Sequence, residues 1–287
     1  MATVEVNSEM VMALRAKTGS GIMDCKRAIQ EAGGDMEKAA EDLRKKGLAD
    51  LAKRASKIMK EGIVAVKISP DGRIGVMAEL DCETDFVARN PEFRAMAETI
   101  ASAMLTNDSI GDPAADAALI DSVTQLAAKM GENIQLRRGV RYGLTGPGAI
   151  NYYLHTDIKK AALVELAFGG DSTKAGDELK NIARELALQA VAMYPRWLRR
   201  EDVPAEVIEK EKEIYRANPR NQGKSAQAVE KMLEGRIKKF SQDNCLLEQA
   251  SVRDQKLTVC AMLDQVSARL GASVTAKRFV CYHVGVE

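Results

Sequence analysis

The sequence predicts an α+β protein made of a small three-helix domain and two related α+β subdomains, with a helical hairpin inserted in the second. Apolar residues follow a helical period over roughly the first fifty residues and then alternate as they do in strands. The order strand–strand–helix–helix–strand then occurs twice, about 85 residues apart. The length of 287 residues is consistent with two domains or three small ones. The apolar content of 46% excludes a disordered chain.

Three short helices are expected in the first domain, residues 1–54. The first helix is predicted over about Ser8–Lys17 and the second over about Ile22–Ala32, and glycines follow each of them. Asp35 is the expected N-cap of the third helix, and Gly47 is expected to close the bundle. A basic linker is predicted for residues 53–60. One face of the second helix is expected to carry Met23, Ala28, Ile29 and Ala32.

A change to alternating hydrophobicity marks the first α+β subdomain, residues 55–143. Strands are predicted at Ile63–Ile68 and Arg73–Leu80, joined by the turn residues Ser69–Gly72. Asn90 predicts a helix start, because asparagine caps helices and the proline that follows it favours the first helical position. The subdomain is completed by a helix at about Leu119–Met130 and a strand at Asn133–Tyr142.

The same order of elements returns in the second α+β subdomain, residues 144–287. Its hairpin is predicted to consist of strands at Ala149–Leu154 and Lys160–Ala167, followed by a long helix around Leu179–Val191. A C-terminal helix is predicted at Leu257–Leu270 and a final strand at Val274–Gly285. Residues from about 203 to 240 lie outside this repeat and carry narrow apolar stripes on charged helices. Such stripes predict an antiparallel coiled-coil hairpin, with its turn at Asn218–Gly223.

Composition and charge exclude several functional classes. The net charge is only +1, so no general attraction to nucleic acid or to an anionic membrane is expected. Aromatic residues make up 4%, which disfavours platforms for base stacking. The sequence has no glycine-rich phosphate loop, no C-x-x-C pair, no signal-like pattern in its first residues and no long apolar run. A reduced cytosol is therefore the expected location, with no cofactor and no metal.

Few residues are suited to nucleophilic or acid–base chemistry. The two histidines, His155 and His283, are expected in or beside a hairpin turn and in the last strand. Cys25 and Cys82 have no histidine near them in sequence and are interpreted as small buried apolar residues. A cysteine-dependent enzyme and a nucleic-acid-binding helical module stay open as alternative functions.

The most informative segment is the predicted strand-to-helix corner at Asp81–Ala88. Thr84 is the expected N-cap of a short helical turn that begins with Asp85 and Phe86. In one interpretation, the Asp85 carboxylate interacts favourably with the dipole of the short helix, and Phe86 fills the core. In the other, Phe86 is an exposed aromatic anchor beside a charge, suited to a pocket in a protein partner.

Four segments, in the same order along nearly the whole chain, resemble signatures of the elongation factor Ts family. The first contains Leu14-Arg15 and continues from Thr18 to Ala28, and the second is Cys82–Ala88. The third is Gly131–Ile134 with Arg137-Arg138, and the fourth is Lys231–Arg236. Four specific motifs in register make a chance match improbable.

The resemblance implies a fold with an N-terminal ubiquitin-associated-like (UBA-like) domain, two α+β subdomains and a coiled-coil excursion from the second. It implies a guanine-nucleotide exchange factor, with no chemistry and no nucleotide binding of its own, whose partner is the GTPase elongation factor Tu. A bacterial cytoplasmic location is expected. A homodimer within a complex of two copies of each protein is left open.

The resemblance also implies which residues contact the GTPase. Within Thr84–Val87, Phe86 would fill a pocket between two GTPase helices that flank the Mg²⁺ site, and Asp85 would displace the segment that supports the metal. Further contacts are expected from Arg15, Ile22, Met23 and Lys26 of the helical domain, and from Met130, His155 and Val252. Ile22 and Met23 could instead be part of the bundle core.

Two departures from the family pattern concern the second subdomain. The turn after His155 contains Thr156-Asp157 where the family has glycines, so the direction of the histidine does not follow from the resemblance. Ser251 replaces an aromatic residue and Arg253 an apolar one. We therefore expect a more polar contact around Val252 than in other members.

Overall fold

The computed structural model describes residues 6–54, 57–217 and 225–286 of the chain. Helices and two small antiparallel three-stranded sheets make up these residues, so the α+β class is confirmed. The turn predicted at Asn218–Gly223 lies outside them. Within the described ranges, no helix is both long and apolar enough to cross a lipid bilayer.

The described residues divide into two compact units. The first contains the residues up to Lys67, residues 76–141 and the few residues after Tyr282. The second contains residues 68–75 and 142–282. The N-terminal helices therefore belong to the same unit as most of the first sheet, and the division into three domains stays a prediction.

The N-terminal bundle contains three helices, α1 (Ser8–Thr18), α2 (Ile22–Glu31) and α3 (Met36–Arg54). Asp35 caps α3 as predicted, because its Oδ1 accepts hydrogen bonds from the amides of Glu37 and Lys38 at 2.9 and 3.1 Å. The buried core of the bundle consists of Val11, Leu14, Cys25, Ala28, Ile29 and Ala39.

Two expectations for the bundle are wrong. Met23 does not share the inner face of α2 but is 71% exposed. Met23 precedes the buried Cys25 by two residues, which corresponds to a rotation of about 200° in a helix of 3.6 residues per turn. Met23 therefore points away from the core. Gly47 does not end α3, which continues to Arg54, so the linker predicted from residue 53 begins as helix.

The first sheet contains β1 (Glu61–Ile68), β2 (Ile74–Cys82) and β3 (Ile134–Gly143), with β2 in the middle. Strand β2 runs two residues beyond the predicted end at Leu80, because a central strand is paired on both sides. The helices between β2 and β3 are α4 (Asp85–Ala88), α5 (Pro91–Thr106) and α6 (Ala117–Met130). Asn90 caps α5 as predicted.

The second sheet contains β4 (Gly148–Leu154), β5 (Lys160–Phe168) and β6 (Val274–His283), with β5 in the middle. Strands β4 and β5 are antiparallel, with Gly148 opposite Ala167 and Leu154 opposite Ala161. The helices between β5 and β6 are α7 (Ser172–Met193), α8 (Ala205–Arg216), α9 (Ala226–Asn244) and α10 (Val259–Leu270).

The two sheets repeat individual residues as well as the order of elements. In the first, the buried Glu79 of β2 accepts a hydrogen bond from Arg138 Nε of β3 at 2.6 Å. In the second, the buried Glu165 of β5 accepts one from Arg278 Nε of β6, also at 2.6 Å. The pattern of hydrophobicity predicted the repeat of elements but not this repeat of ion pairs.

Candidate functional site

The strand-to-helix corner after β2 has the local structure that the sequence predicts. Thr84 has an extended backbone, and its Oγ1 accepts a hydrogen bond from the amide of Val87 at 3.4 Å. Thr84 is therefore the N-cap of α4, a single turn of four residues. Asp85 occupies its first position and forms an ion pair with Arg89 at 3.1 Å.

Phe86 projects from this corner into solvent. Its exposed fraction is 82%, whereas the next two residues, Val87 and Ala88, are 8% and 5% exposed and anchor the turn to the protein. The interpretation in which Phe86 fills the core is therefore wrong. An exposed aromatic ring on a capped and anchored turn is the arrangement expected of an interface anchor.

A turn distant in sequence supports the corner. Glu132, between α6 and β3, accepts hydrogen bonds from the Thr84 amide at 3.2 Å and from Thr84 Oγ1 at 2.8 Å. In the other direction, Glu83 Oε1 accepts a hydrogen bond from the amide of Asn133 at 2.9 Å. Met130, at the end of α6, is thus linked to the Phe86 corner through the turn that follows it.

The predicted contact residues of the N-terminal bundle are all exposed. They are Arg15, Ile22, Met23 and Lys26. Ile22 is 50% exposed, so the alternative that Ile22 and Met23 belong to the bundle core is wrong. Asp24 follows Met23 and accepts hydrogen bonds from Lys46 and Arg27, which hold the pKa of its carboxyl below the usual range. The exposed surface of α2 therefore presents two apolar side chains beside the basic Lys26, and the Asp24 carboxylate is paired with cations.

The turn between α1 and α2 approaches the end of α6 in the same unit. A cavity of about 510 Å³ is lined by residues of this turn, of α3 and of α6, including Gly19, Gly21, Lys46 and Met130. Gly47 of α3 faces α6 directly, since a Cβ at Gly47 would lie 3.1 Å from the Ala128 Cβ. Met130 is thereby placed near both the α1–α2 turn and the Phe86 corner.

The other two predicted contacts, His155 and Val252, lie in the second unit. His155 begins the tight turn between β4 and β5, with its Nδ1 3.1 Å from Asp157 Oδ1, and its side chain is 41% exposed. Its ring meets Tyr153 edge-on at 6.4 Å. The histidine is half-exposed and held by its own turn, as expected of a loop residue.

Val252 is held by a buried glutamine that sequence reasoning did not single out. Gln189 of α7 accepts a hydrogen bond from the Val252 amide at 2.8 Å and donates to Gln249 Oε1 and the Ala250 carbonyl. Ser251 is buried and caps the turn by accepting a hydrogen bond from the Arg253 amide. The residue in place of the family's aromatic therefore supports the loop, and Arg253 pairs with Glu185.

Three of the cysteines are poorly suited to nucleophilic chemistry. Burial raises the pKa of the Cys82 thiol to about 12 and that of Cys245 to about 11. Cys260 on α10 is exposed, but partial desolvation of its thiol and the nearby carboxylates of Asp264 and Glu248 raise its pKa as well. Protonated thiols are weak nucleophiles, which argues against a cysteine-dependent enzyme built on these residues.

Sequence reasoning found the projecting residues but missed those that hold them. Glu83, Glu132 and Gln189 are bonded to segments 48 to 63 residues away. Glu132 lies within the Gly131–Ile134 motif and Glu83 within the Cys82–Ala88 motif, and these motifs were the only signal for the two residues. Nothing in the local spacing of Glu132 pointed to Thr84.

Comparisons with known proteins agree with the motifs. A family model described as Elongation factor TS matches residues 83–286. The elongation factor Ts of Symbiobacterium thermophilum is 44% identical over 98% of this chain and 92% of its own. The elongation factor Ts of Prosthecochloris aestuarii is 41% identical over 98% of this chain and 99% of its own. The elongation factor Ts of Clostridium acetobutylicum is 39% identical over 98% of this chain and 92% of its own. The chain therefore belongs to the elongation factor Ts family, whose known function is guanine-nucleotide exchange on elongation factor Tu.

Proposed function

We propose that the Thr84–Val87 corner is the part of this protein that dislocates Mg²⁺ on elongation factor Tu. The observation that carries the proposal is the 82% exposure of Phe86 on a turn whose next two residues are buried. In this role Phe86 enters an apolar pocket beside the GTPase helices that flank the metal. Asp85, at the start of α4, displaces the segment that supports the metal.

Exchange then follows from linkage. A protein that binds the nucleotide-free GTPase more tightly than the GDP-bound form must weaken GDP binding by the same factor. Burying one aromatic side chain contributes about 1.5–3 kcal/mol. Because about 1.4 kcal/mol corresponds to a factor of ten, burial of Phe86 in a pocket that opens only in the nucleotide-free form corresponds to roughly a ten- to hundredfold effect on GDP affinity.

The other exposed residues form the remainder of the proposed contact surface. Arg15, Ile22, Met23 and Lys26 face the nucleotide-binding domain of the GTPase, and Met130 extends that surface. His155 faces a distant domain of the same partner, and Val252 adds an apolar contact from the second subdomain. The exposure of large apolar side chains on α2, which are costly to leave in water, supports an interface there.

Finer features of the fold accompany this function. We assign a UBA-like domain to residues 1–54, and α+β subdomains to residues 55–143 and 144–287. Helices α8 and α9 form a coiled-coil hairpin, in which Arg236 lies over the Tyr215 ring with its Cζ 5.7 Å from the ring centre. The protein acts in the bacterial cytoplasm without a cofactor, and a homodimer would produce a complex with two copies of each protein.

Release of a fluorescent GDP from elongation factor Tu tests the proposal. We expect acceleration by substoichiometric wild-type protein and a loss of about tenfold or more for Phe86→Ala. Ile120→Ala is the matched control, because Ile120 is another exposed apolar residue of the same unit and is not part of the proposed surface. Equal rates for wild type and a folded Phe86→Ala variant would contradict the assignment.

A further inference from the structure

Two glutamates accept the hydrogen bonds that join the Phe86 corner to the turn between α6 and β3. Glu132 accepts from both the amide and the hydroxyl of Thr84, and Glu83 accepts from the amide of Asn133. Glu83 also forms an ion pair with Lys57 at 3.1 Å, although its side chain is only 10% exposed. We call these two glutamates with Thr84 and Asn133 the carboxylate clamp.

The corner needs such support because α4 is too short to be stable alone. A helix of four residues contains little more than the first turn, which costs conformational entropy without the gain of further hydrogen bonds. Its side-chain cap, from the Val87 amide to Thr84 Oγ1, is long at 3.4 Å. The direction in which α4 presents Phe86 is therefore determined by the burial of Val87 and Ala88 together with the bonds that hold Thr84.

Glu132 controls how Thr84 caps the helix. A threonine hydroxyl has one proton and two lone pairs. Because the proton is donated to Glu132 Oε1 at 2.8 Å, a lone pair is left to accept from the Val87 amide. A hydrogen bond to an ionised carboxylate is stronger than one between neutral groups, so the hydroxyl is held in this orientation.

A third contact holds Thr84 from the strand side. The Sγ of Cys82 lies 3.2 Å from the Thr84 carbonyl oxygen and donates to it. The thiol keeps its proton at neutral pH because burial raises the pKa of Cys82 to about 12. The amide, hydroxyl and carbonyl of Thr84 are thus all bonded to groups at the base of the corner.

From this geometry we propose that Glu132 is a positioning residue for nucleotide exchange: through Thr84 it fixes the turn that presents Phe86. The inference rests on the proposed function of the corner and extends it to a residue that is not part of the projecting tip. Its consequence is that removing Glu132 reduces exchange only while Phe86 is present.

A double-mutant cycle tests the dependence on Phe86. GDP release from elongation factor Tu is measured with wild type, Glu132→Ala, Phe86→Ala and the double variant. We expect Glu132→Ala to slow release about tenfold in the wild-type background and less than about twofold in the Phe86→Ala background. Asp121→Ala is the control, because it removes an exposed carboxylate of α6 that bonds only to Gln125 among the contacts described.

Hydrogen exchange in the free protein tests the clamp without the partner. The amides of Ala88 and Arg89 close the turn by bonding to the carbonyls of Thr84 and Asp85. We expect both amides to exchange about tenfold faster in Glu132→Ala and at the wild-type rate in Asp121→Ala. Glu132→Gln keeps one of the two acceptor oxygens, so its amides should exchange at a rate between those of wild type and Glu132→Ala. If Glu132→Ala does not fold, Glu132→Gln is compared with wild type, and equal protection of Ala88 and Arg89 in the two proteins would overturn the role of Glu132.

The outcomes are distinct. Additive losses in the cycle, or unchanged exchange at Ala88 and Arg89, would overturn the positioning role of Glu132. A wild-type protein that does not accelerate GDP release would overturn the proposed function itself. In that case the hydrogen-exchange comparison would still decide whether the clamp orders the corner.

Discussion

Phe86 differs from the other phenylalanines of the chain in its environment. The sequence has five, and the remaining four, Phe93, Phe168, Phe240 and Phe279, are buried or half-buried. A phenylalanine in water gives up the apolar burial that normally stabilises a fold. Its exposure on a turn that is otherwise anchored is therefore explained better by binding than by folding.

Asp81, four residues before Asp85, is a second residue whose environment is costly. Burial and the nearby Glu79 together raise the pKa of its carboxyl to about 7, although Arg137, at 3.5 Å, opposes the shift. The native state therefore holds a proton that the unfolded chain releases near pH 4. The stabilisation is complete below pH 4 and is lost as the pH rises through 7.

Asp81→Asn should change how stability depends on pH. Asparagine does not titrate, so the variant should gain stability relative to wild type between pH 5 and pH 8, by at most about 4 kcal/mol. Urea unfolding at the two pH values measures the difference. A difference between wild type and variant that is the same at both values would show that Asp81 ionises normally in the native state.

At the scale of elements, Gly47 shows how a residue type can mislead when read alone. Glycine in a helix interior costs about 1 kcal/mol relative to alanine, and for this reason it was expected to end α3. The helix continues, because at Gly47 the backbone of α3 approaches Ala128 of α6 too closely for an unstrained side chain. Helix packing therefore compensates for the poor intrinsic propensity.

The same substitution at two helical glycines should have opposite effects. Gly47→Leu should destabilise the protein by about 1–3 kcal/mol, because the side chain forces α3 away from α6. Gly235→Leu should be neutral or stabilising by up to about 1 kcal/mol, because nothing lies within 4 Å of a Cβ at Gly235 in α9. Urea unfolding followed by circular dichroism compares them, and equal effects would contradict the close approach.

At the scale of the whole molecule, each sheet contains the same ion pair between a buried glutamate and a partly exposed arginine. Glu79 pairs with Arg138 in the first, and Glu165 pairs with Arg278 in the second. In both cases the glutamate is on the middle strand and the arginine on the strand that returns after the helices. Each unit thus joins its hairpin to its final strand by the same electrostatic contact.

Removing either glutamate should destabilise the protein by a similar amount. Glu79→Ala and Glu165→Ala each remove a hydrogen bond between a buried carboxylate and a partly exposed arginine, at a cost of about 1.5–3 kcal/mol. Glu98→Ala, which breaks an exposed pair with Lys67, should cost less than about 1 kcal/mol. Chemical denaturation of the three variants measures this, and a Glu79 or Glu165 variant as stable as Glu98→Ala would refute the prediction.

The sequence by itself determined the local structure and the family. Asp35, Thr84 and Asn90 were recognised as caps because a capping side chain bonds to an amide two or three residues away, so all of the signal is local. Hairpins and amphipathic helices are equally local. The four motifs located the corner, but their spacing alone did not decide whether Phe86 pointed inward or outward.

Only the tertiary structure decided which faces are covered and what holds the corner. Periodicity places Met23 and Phe86 on a face, but exposure depends on whether another element packs there. The partnership of Glu132 with Thr84 joins residues 48 apart in sequence, and the contact of Gly47 with α6 joins residues even further apart. Such contacts arise from packing between elements, which has no signature within either segment alone.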